Sequence, residues 1–471
     1  MKITLIGLGT DTDGLSKRAE TALKSVDKII ARTDKMPSFK NLSGYNVDTL
    51  DALYGKSRNF DTLNKNLANA VLSESKCNTV AYCVDGAVCE DAACKIILSK
   101  HKDCDVIAGE AKSARAASLA RLKSDIYTSV SAYAVEGLKS CPAAVVYDID
   151  CYFVATKVKE VFTNLFGEET ECAFIEGDSV KRIKVYELDR QKEYNLTCCA
   201  VIEEREFLKK DRYDFADLEK LIKILRAPGG CAWDRAQTNE SIKPNLIEEA
   251  YELADAIERG DDDGIEEETG DVLLQAAFHA VLKEEQGVFN GTDAITRLVK
   301  KLIFRHSHIF GKDKAETGEE ALNVWERNKN VEKHAETFGQ TVEAVPKNFP
   351  ACMRAQKVQK RAAKSGMDFL SSISAAERLT DELKELITVL VDGDEKAVFD
   401  EAGDVLFSAV NTCRLAKVDC EEALKSATAK FSERFILCEK LIIADGKDIT
   451  DLNELELNVY WQKAKDELKK H

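Results

Sequence analysis

Several features that would settle the class of this protein directly are missing from its sequence. No stretch reaches the roughly 18 uninterrupted apolar residues that a membrane-spanning helix needs, and the opening residues predict a strand rather than a signal peptide. No GxxxxGK(S/T) motif is present, which excludes a P-loop nucleotide site. The 15 cysteines include no CxxC pair and have no histidine at zinc-ligand spacing. We therefore expect reduced thiols in a cytoplasmic protein, with metal or redox roles as the alternative.

Positive charge is also in deficit. The 67 lysines and arginines face 83 aspartates and glutamates, which leaves a net charge of −16. A chain this acidic repels DNA and anionic membranes, so we expect neither nucleic acid nor a membrane as a partner. A polyanionic ligand would need a local source of positive charge, most simply a bound cation.

The composition and length predict a folded protein of several domains. Hydrophobic residues make up 44% of the chain and charged residues 32%, which excludes wholesale disorder. Domains typically contain roughly 100–200 residues, so we expect about three of them here.

Strand and helix patterns alternate in the first part of the chain. Strands are predicted near residues 3–6, 79–84, 105–108, 143–147 and 182–188, with helices near 16–25 and 92–98. This alternation favours an α/β domain with a mostly parallel sheet. From Phe215 onward apolar residues recur at spacings of three and four, which predicts helices. Proline and other breaks indicate linkers near 205–214 and 340–350.

The helical half contains an internal repeat. Two acidic motifs return 133 positions later: Glu249-Ala-Tyr-Glu252 as Glu382-Leu-Lys-Glu385, and Glu268-Thr-Gly-Asp271 as Glu401-Ala-Gly-Asp404. The glycine–aspartate pairs at 260–261 and 393–394 share this offset. With small gaps the basic and aromatic residues also correspond: Lys301 to Lys430, Arg305 to Arg434, and Trp325 to Trp461. The pattern predicts a duplicated helical module.

The acidic motifs suggest a metal site in each copy. Each motif holds two acids three positions apart, which puts both on one face of a helix. A short turn between the two helices would bring four carboxylates together. Acids on otherwise apolar helices are costly unless their charge is compensated, and all-oxygen ligands favour Mg²⁺, or Mn²⁺ in its place. The alternative is that the motifs are solvated helix faces.

The basic residues suggest a phosphate ligand. In each copy a lysine and an arginine lie four positions apart on one helix face, where lysine acts as a point charge and arginine as a fork for phosphate oxygens. The alternative is an ordinary salt-bridged surface helix. Beside carboxylates that hold Mg²⁺, such a pair indicates a phosphate ester or phosphoanhydride.

A series of motifs runs through the helical half in a fixed order. These are Gly230-Cys-Ala-Trp-Asp234, Gln237-Thr238, Glu248-Glu-Ala-Tyr-Glu252, Glu268-Thr-Gly-Asp271, Lys301-Leu-Ile-Phe-Arg-His306 and Trp325-Glu-Arg-Asn-Lys329. Together they resemble the MazG family of nucleoside triphosphate pyrophosphohydrolases over roughly residues 217–471. The resemblance implies an all-α, usually dimeric, Mg²⁺-dependent enzyme that converts a nucleoside triphosphate to the monophosphate and pyrophosphate.

The same resemblance assigns roles to individual residues. The implied metal ligands are Glu249, Glu252, Glu268 and Asp271 in the first copy, and Glu382, Glu385, Glu401 and Asp404 in the second. The implied substrate contacts are Lys430, Arg434 and Trp461, with Lys301, Arg305 and Trp325 as their first-copy counterparts. Glu249 or Glu382 would act as general base, and the basic pairs would stabilise charge on the leaving pyrophosphate. Asp381, Ala232 and Asn239 depart from the family pattern; both copies are candidates, with the second preferred.

Three segments of the α/β half, residues 3–9, 32–33 and 185–190, resemble the tetrapyrrole (corrin/porphyrin) methylase fold that is fused to this enzyme in YabN-like proteins. The resemblance places S-adenosylmethionine contacts at Gly7, Gly9, Asp85 and Gly86. The chain departs from the family where prolines and glycines shape the cofactor loops, as at Thr10-Asp11, and it gains Glu110 and Lys112. These departures argue against cofactor binding.

The sequence thus predicts a multidomain protein, with an α/β methylase-like domain over 1–208 and two all-α MazG-like helical-bundle modules over 215–340 and 347–471. The expected function is Mg²⁺-dependent hydrolysis of nucleoside triphosphates by a homodimer, serving nucleotide-pool sanitation. Two alternatives stay open. One is an S-adenosylmethionine-dependent tetrapyrrole methyltransferase dimerised by its helical half, and the other is a non-catalytic nucleotide-binding regulator.

Overall fold

A computed structural model describes residues 2–10, 14–332 and 337–469. Asp11 of the first glycine motif and His471, the last residue of the third predicted domain, lie outside the described residues. The chain divides into two compact units, Met1–Gly291 and Thr292–His471. This division falls within the first helical copy, so the domain bounds expected from the sequence stay a prediction.

Ten strands form two sheets in the described part of the first unit. They are β1 Ile3–Gly7, β2 Lys28–Ala31, β3 Val47–Thr49, β4 Val80–Val84, β5 Cys104–Ile107, β6 Thr128–Ser131, β7 Ala143–Tyr147, β8 Glu171–Glu176, β9 Ser179–Lys184 and β10 Cys199–Glu203. The first sheet has the order β3-β2-β4-β1-β5 and the second β6-β7-β10-β8-β9. Five helices accompany them: α1 Lys17–Lys24, α2 Phe60–Glu74, α3 Ala92–Lys100, α4 Lys112–Ala120 and α5 Tyr152–Phe166.

The prediction of a mostly parallel sheet is confirmed for the first sheet and wrong for the second. All pairings in the first sheet are parallel, and β1 and β4 are buried along their whole length, as strands covered on both faces are. In the second sheet only β6 and β7 pair in parallel. There, β8 and β9 are joined by a two-residue turn at Gly177-Asp178, a connection that only antiparallel strands accept.

One predicted strand is half wrong. The segment 182–188 begins in β9, but residues 185–190 form a 3-10 helix. The Glu187 carboxylate accepts a hydrogen bond from the Lys184 backbone N–H at 2.8 Å, which starts the turn. Val185 and Leu188 then point into the core at a spacing of three, which suits a helix rather than a strand.

The rest of the described chain is helical, as the sequence predicts. In the first unit lie α6 Phe215–Arg226, α7 Ala232–Ala236, α8 Lys243–Arg259 and α9 Asp262–Glu285. The following helices are α10 Gly291–Arg305, α11 Ser307–Phe310, α12 Gly318–Glu332, α13 Phe338–Glu343, α14 Ala351–Ala363, α15 Ser372–Asp392, α16 Glu395–Leu415, α17 Cys420–Ala444 and α18 Glu454–Leu468. Within the described residues no helix is both long enough and apolar enough to span a membrane.

Two matching helix hairpins carry the internal repeat. The pairs α8/α9 and α15/α16 are each joined by a glycine and an aspartate. Gly260 and Gly393 adopt left-handed conformations with φ of 64° and 74°, which end the first helix of each pair. Asp261 and Asp394 then cap the next helix by accepting backbone N–H groups of its first turn. The turn between helices is therefore encoded by two residues.

The turn glycines provide a test of this hairpin geometry. Gly260→Ala and Gly393→Ala should each destabilise the protein by about 1–2 kcal/mol, because a β-carbon is strained in the left-handed region. Gly270→Ala and Gly403→Ala are matched controls in helix interiors with open space beside them, and alanine there should stabilise by about 0.5–1 kcal/mol. Urea unfolding followed by circular dichroism measures the free energy of unfolding for both sets of variants. A change in the same direction in both sets would contradict the left-handed conformation of Gly260 and Gly393.

Candidate active site

The first acid cluster lies across the α8/α9 hairpin. Glu249 and Glu252 lie on α8, and Glu268 and Asp271 lie on α9. One carboxylate oxygen from each of Glu249, Glu268 and Asp271 lies within 4.8 Å of the others. Glu252 is exposed, but its charge still acts on Glu249 and Glu268. The structure therefore places three of the four predicted acids close together, with Glu252 exposed beside them.

The second cluster occupies the same place on the α15/α16 hairpin. Oxygens of Glu382, Glu385 and Glu401 lie within 4.8 Å of one another. Asp404, the fourth predicted acid, is exposed and acts on Glu401 through its charge. Glu382 is the most buried member, with 6% of its surface exposed. In each cluster both helices contribute carboxylate oxygens, because each motif has a spacing of three and the intervening turn is short.

Crowding and burial disfavour the charged form of these acids. Burial raises the pKa of Glu268, and the charges of Glu252 and Asp271 raise it further. Glu401 behaves in the same way: burial raises its pKa first, followed by the charges of Glu385 and Asp404. The pKa of Glu249 is also raised by burial and by Asp271, against a weak hydrogen bond from Gln275. A nearby cation would relieve this repulsion in both clusters.

Unpaired oxygens show that the clusters fit a metal ion. Among the described residues, the Oε2 atoms of Glu268, Glu382 and Glu401 are buried without a hydrogen-bond partner. A buried carboxylate oxygen without a partner is costly, and it needs either a donor or a cation. The donor set consists of carboxylates alone, which suits a hard divalent cation such as Mg²⁺ or Mn²⁺.

The first-copy basic residues belong to the second unit. Arg305 is buried, donates from its Nε to Glu332 Oε2 at 2.7 Å, and its guanidinium lies 5.1 Å from the Trp325 ring centre. Lys329 lies over the same ring at 4.5 Å. Arg305 and Trp325 are thus packed against each other, whereas Lys301 is half-buried on α10.

The second-copy basic residues lie on α17 beside an aromatic contact. Lys430 is exposed and Arg434 half-buried, four positions apart. Phe431, between them in sequence, contacts the Trp461 ring with centres 5.2 Å apart. Trp461 packs at the edge of a small core that includes Cys438, Ile442, Tyr460 and Ala464. This packing supports a role for Trp461 as an anchor of α18 on α17.

The glycines expected to contact S-adenosylmethionine contact each other instead. Gly9 and Gly86 form an antiparallel bridge, with backbone N–H to carbonyl distances of 3.1 and 2.9 Å. A β-carbon on Gly7 would collide with the backbone carbonyls of Ala108 and Gly86. Gly7 therefore requires glycine because backbone approaches backbone, whereas Gly9 and Gly86 have positive φ angles that favour glycine.

A lysine fills the space beside these glycines. Lys112 at the start of α4 is half-buried; its Nζ lies 2.7 Å from Asp148 Oδ1 and 3.1 Å from Asp85 Oδ2. A β-carbon on Gly86 would lie 2.8 Å from the Lys112 side chain. Burial lowers the pKa of Lys112, but the charges of Asp148 and Asp85 outweigh burial and raise it. Asp85, a predicted cofactor contact, is thus already paired with Lys112 within the chain.

Sequence reasoning missed three groups at these sites. Arg378 forms salt bridges with Glu382 and Glu385, and Gln275 donates to Glu249. Both lie four positions from a cluster acid on the same helix, so helical spacing was an available signal. Asp148, which holds Lys112, has a φ of 64° at the end of β7, and nothing in the sequence points to that contact.

Comparison with known proteins supports the site on the helical side. The model of the MazG nucleotide pyrophosphohydrolase domain matches residues 237–310 and 370–435, which contain both acid clusters. A nucleoside triphosphate pyrophosphohydrolase/pyrophosphatase MazG of Thermotoga maritima is 42% identical over 251 residues, covering 53% of this chain and 95% of the relative. A nucleoside triphosphate pyrophosphohydrolase of Escherichia coli is 35% identical over 254 residues, covering 53% and 97%.

Other similarities extend beyond the helical half. The uncharacterized protein YabN of Bacillus subtilis is 29% identical over 482 residues and covers 99% of this chain and 98% of its own. The crystal structure of uroporphyrin-III-C-methyltransferase from Thermus thermophilus aligns with 43% of this chain and 94% of its own, at 16% identity and a TM-score of 0.33.

Calorimetric titration with S-adenosylmethionine tests the interpretation of the α/β unit. We expect no heat of binding, because the predicted contact residues already bind within the chain: Gly9 pairs with Gly86, and Asp85 pairs with Lys112. Lys112→Met should lower the free energy of unfolding by about 3 kcal/mol, since it leaves two half-buried carboxylates without their shared cation. Lys102→Met, at an exposed position, should change it by less than about 0.5 kcal/mol. Micromolar binding of the cofactor to the unaltered chain would refute this interpretation.

The acid clusters predict a pH dependence with a definite sign. Because the folded-state pKa of Glu268 and Glu401 is raised, the folded protein binds more protons than the unfolded chain, and the metal-free protein should gain stability as pH falls toward that pKa. Glu268→Gln with Glu401→Gln should therefore be more stable than the unaltered chain at pH 7.5, with a difference that shrinks on acidification. Urea unfolding in a chelator measures this, with exposed Glu266→Gln as control; a difference that grows on acidification would contradict it.

Proposed function

Because the chain belongs to the MazG family of nucleotide pyrophosphohydrolases, we propose that its helical part hydrolyses nucleoside triphosphates to monophosphates and pyrophosphate. The observation that carries the proposal is the pair of acid clusters on matching hairpins, whose buried carboxylate oxygens lack partners. In this reaction a water oxygen bonds to phosphorus, the bridging P–O bond between the α- and β-phosphates breaks, and pyrophosphate leaves. Both ribo- and deoxyribonucleotides are candidate substrates.

The metal ligands in this proposal are the eight clustered acids. Glu249, Glu252, Glu268 and Asp271 would hold Mg²⁺, or Mn²⁺, in the first copy, and Glu382, Glu385, Glu401 and Asp404 would hold it in the second. When bound, the cation supplies charge neutralisation for the triphosphate and acidifies a water molecule. The negative net charge of the chain is then no obstacle to a polyanionic substrate.

A carboxylate of each cluster acts as the general base. Glu249 has a raised pKa, which brings its basicity closer to what proton abstraction near neutral pH requires. Gln275 holds the Oε1 atom of Glu249 at 3.4 Å and leaves the other oxygen for the water proton. In the second copy the corresponding acid is Glu382: its buried Oε2 atom is left to the metal, and its Oε1 atom, which Arg378 holds, would accept the water proton once Arg378 turns away.

The basic residues stabilise the leaving pyrophosphate. Lys430 and Arg434 are accessible on α17, and their spacing of four presents both to one ligand. Lys301 is the equivalent lysine of the first copy. Arg305 would have to leave Glu332 to contact phosphate, so its contribution in the first copy is to position Trp325 and the end of α10. This difference favours the second copy for turnover.

Exposed apolar side chains on the second hairpin favour a homodimer. The hairpin helix α15 exposes Leu383, Ile387 and Leu390 at helical spacing, and α16 exposes Leu406 and Phe407. Contiguous apolar surface of this kind marks a protein interface, and we propose a homodimer.

All 15 cysteines are free thiols, which suits a reducing compartment; we propose a cytoplasmic role in clearing unwanted nucleotides.

A nucleotide panel with cluster variants tests the activity. Each nucleoside and deoxynucleoside triphosphate is incubated with the protein and Mg²⁺, and pyrophosphate is measured separately from orthophosphate. Pyrophosphate is the expected product. Glu268→Gln with Glu401→Gln should reduce turnover by at least about 100-fold, since even outer partners of metal ligands are worth about 10–100-fold. The single variants assign the active copy, and exposed Glu266→Gln is the control.

Two results would refute the proposal. One is absence of pyrophosphate with every nucleotide in the panel. The other is turnover that persists in the double variant, because it would place the reaction outside the acid clusters.

A further inference from the structure

The two acid clusters differ in one charged neighbour. On α15, Arg378 precedes Glu382 by one helical turn, and its guanidinium lies 2.7 Å from Glu382 Oε1 and 3.4 Å from Glu385 Oε1. The position 133 residues earlier, on α8, is Asn245. In the first cluster the neighbour of Glu249 is instead the neutral amide of Gln275. One cluster therefore carries a cation that the other lacks.

The difference extends to the whole first cluster. Within residues 2–10 and 14–291, the described part of the first unit, no lysine or arginine forms a salt bridge with Glu249, Glu252, Glu268 or Asp271. In the second cluster Arg378 also acts on Glu401 through its charge. An arginine at this place partly neutralises three of the four acids that would hold a metal.

Arg378 is placed so that it can leave the cluster. Its side chain is 44% exposed, whereas that of Glu382 is 8% exposed. The buried Oε2 atoms of Glu382 and Glu401 still lack partners while Arg378 is present. Arg378 therefore pairs with carboxylate oxygens at the exposed edge of the cluster, and the buried oxygens stay without a hydrogen-bond partner. A small divalent cation can bind these buried oxygens, whereas a guanidinium at the exposed edge of the cluster does not.

We propose that Arg378 is a resident counter-ion of the second cluster, which a divalent cation must displace, so that the two copies bind metal with unequal affinity. This inference rests on the proposed function of the clusters as metal sites. The first copy takes metal first, because no described lysine or arginine of its unit is paired with its carboxylates. The second copy fills at higher metal concentration, as Arg378 turns away toward solvent.

The expected difference is modest because Arg378 is partly exposed. Ion pairs with one partly exposed partner are worth little in water, and charge-assisted hydrogen bonds somewhat more. We expect the dissociation constant for Mn²⁺ to be about three- to tenfold higher for the second cluster than for the first. Arg378→Gln should lower the second constant toward the first, whereas Arg378→Lys should lower it less because it retains the charge.

The experiment is a Mn²⁺ titration of the full chain without nucleotide, with free Mn²⁺ followed by electron paramagnetic resonance. Glu401→Gln isolates the first cluster and Glu268→Gln isolates the second, so each dissociation constant is measured separately. Arg378→Gln and Arg378→Lys are then combined with Glu268→Gln. Asn245→Arg combined with Glu401→Gln is the reciprocal test, and it should weaken the first cluster by a similar factor.

The outcomes separate this inference from the proposed function. Unequal constants that Arg378→Gln brings together support it. Equal constants in the unaltered clusters, or a second-cluster constant that Arg378→Gln leaves unchanged, overturn it, as does absence of Mn²⁺ binding at either cluster. Mn²⁺ binding without pyrophosphate release from any nucleotide would instead refute the proposed function and leave the inference standing.

Discussion

Carboxylates of like charge converge at both helix hairpins, where each helix of the pair contributes acids to one cluster. In the first hairpin, Ala277, Phe278 and Val281 anchor α9, the helix that carries Glu268 and Asp271, in a buried core. Three oxygens within 4.8 Å then repel one another in a partly desolvated place, which raises the pKa of Glu268. The fold therefore concentrates negative charge at this place, and a bound divalent cation would neutralise it.

The α/β unit meets the same electrostatic problem in a different way. Asp85 and Asp148 are drawn together at the ends of β4 and β7, but there Lys112 lies between them at hydrogen-bonding distance. Lys112 neutralises that site, whereas no lysine or arginine among the described residues of the first unit pairs with the first acid cluster. The second cluster is intermediate between these two cases. Arg378 pairs with Glu382 at the exposed edge of the cluster, but two buried carboxylate oxygens have no hydrogen-bond partner. The placement of one basic side chain thus distinguishes a closed site from an open one.

Duplication produced two hairpins with the same backbone and different surroundings. The left-handed glycine and the capping aspartate are retained in both, so the acids keep the same mutual placement. The neighbours have diverged: asparagine in one copy is arginine in the other, and the arginine of the first basic pair, Arg305, is engaged by Glu332 and Trp325. Equal ligands in unequal settings are a physical basis for a division of roles between the copies.

The repeat, the helices and the acid spacing were determined by the sequence itself, because helical periodicity and capping depend on residues a few positions apart. Predictions that depended on residues far apart in the chain were less complete. The antiparallel second sheet, the strand that became a 3-10 helix, and the ion pair that closes the Lys112 site were decided by tertiary packing. So were the convergence of carboxylate oxygens and the burial of Arg305. Side-chain direction and distance are set by contacts between distant segments, and sequence spacing does not encode them.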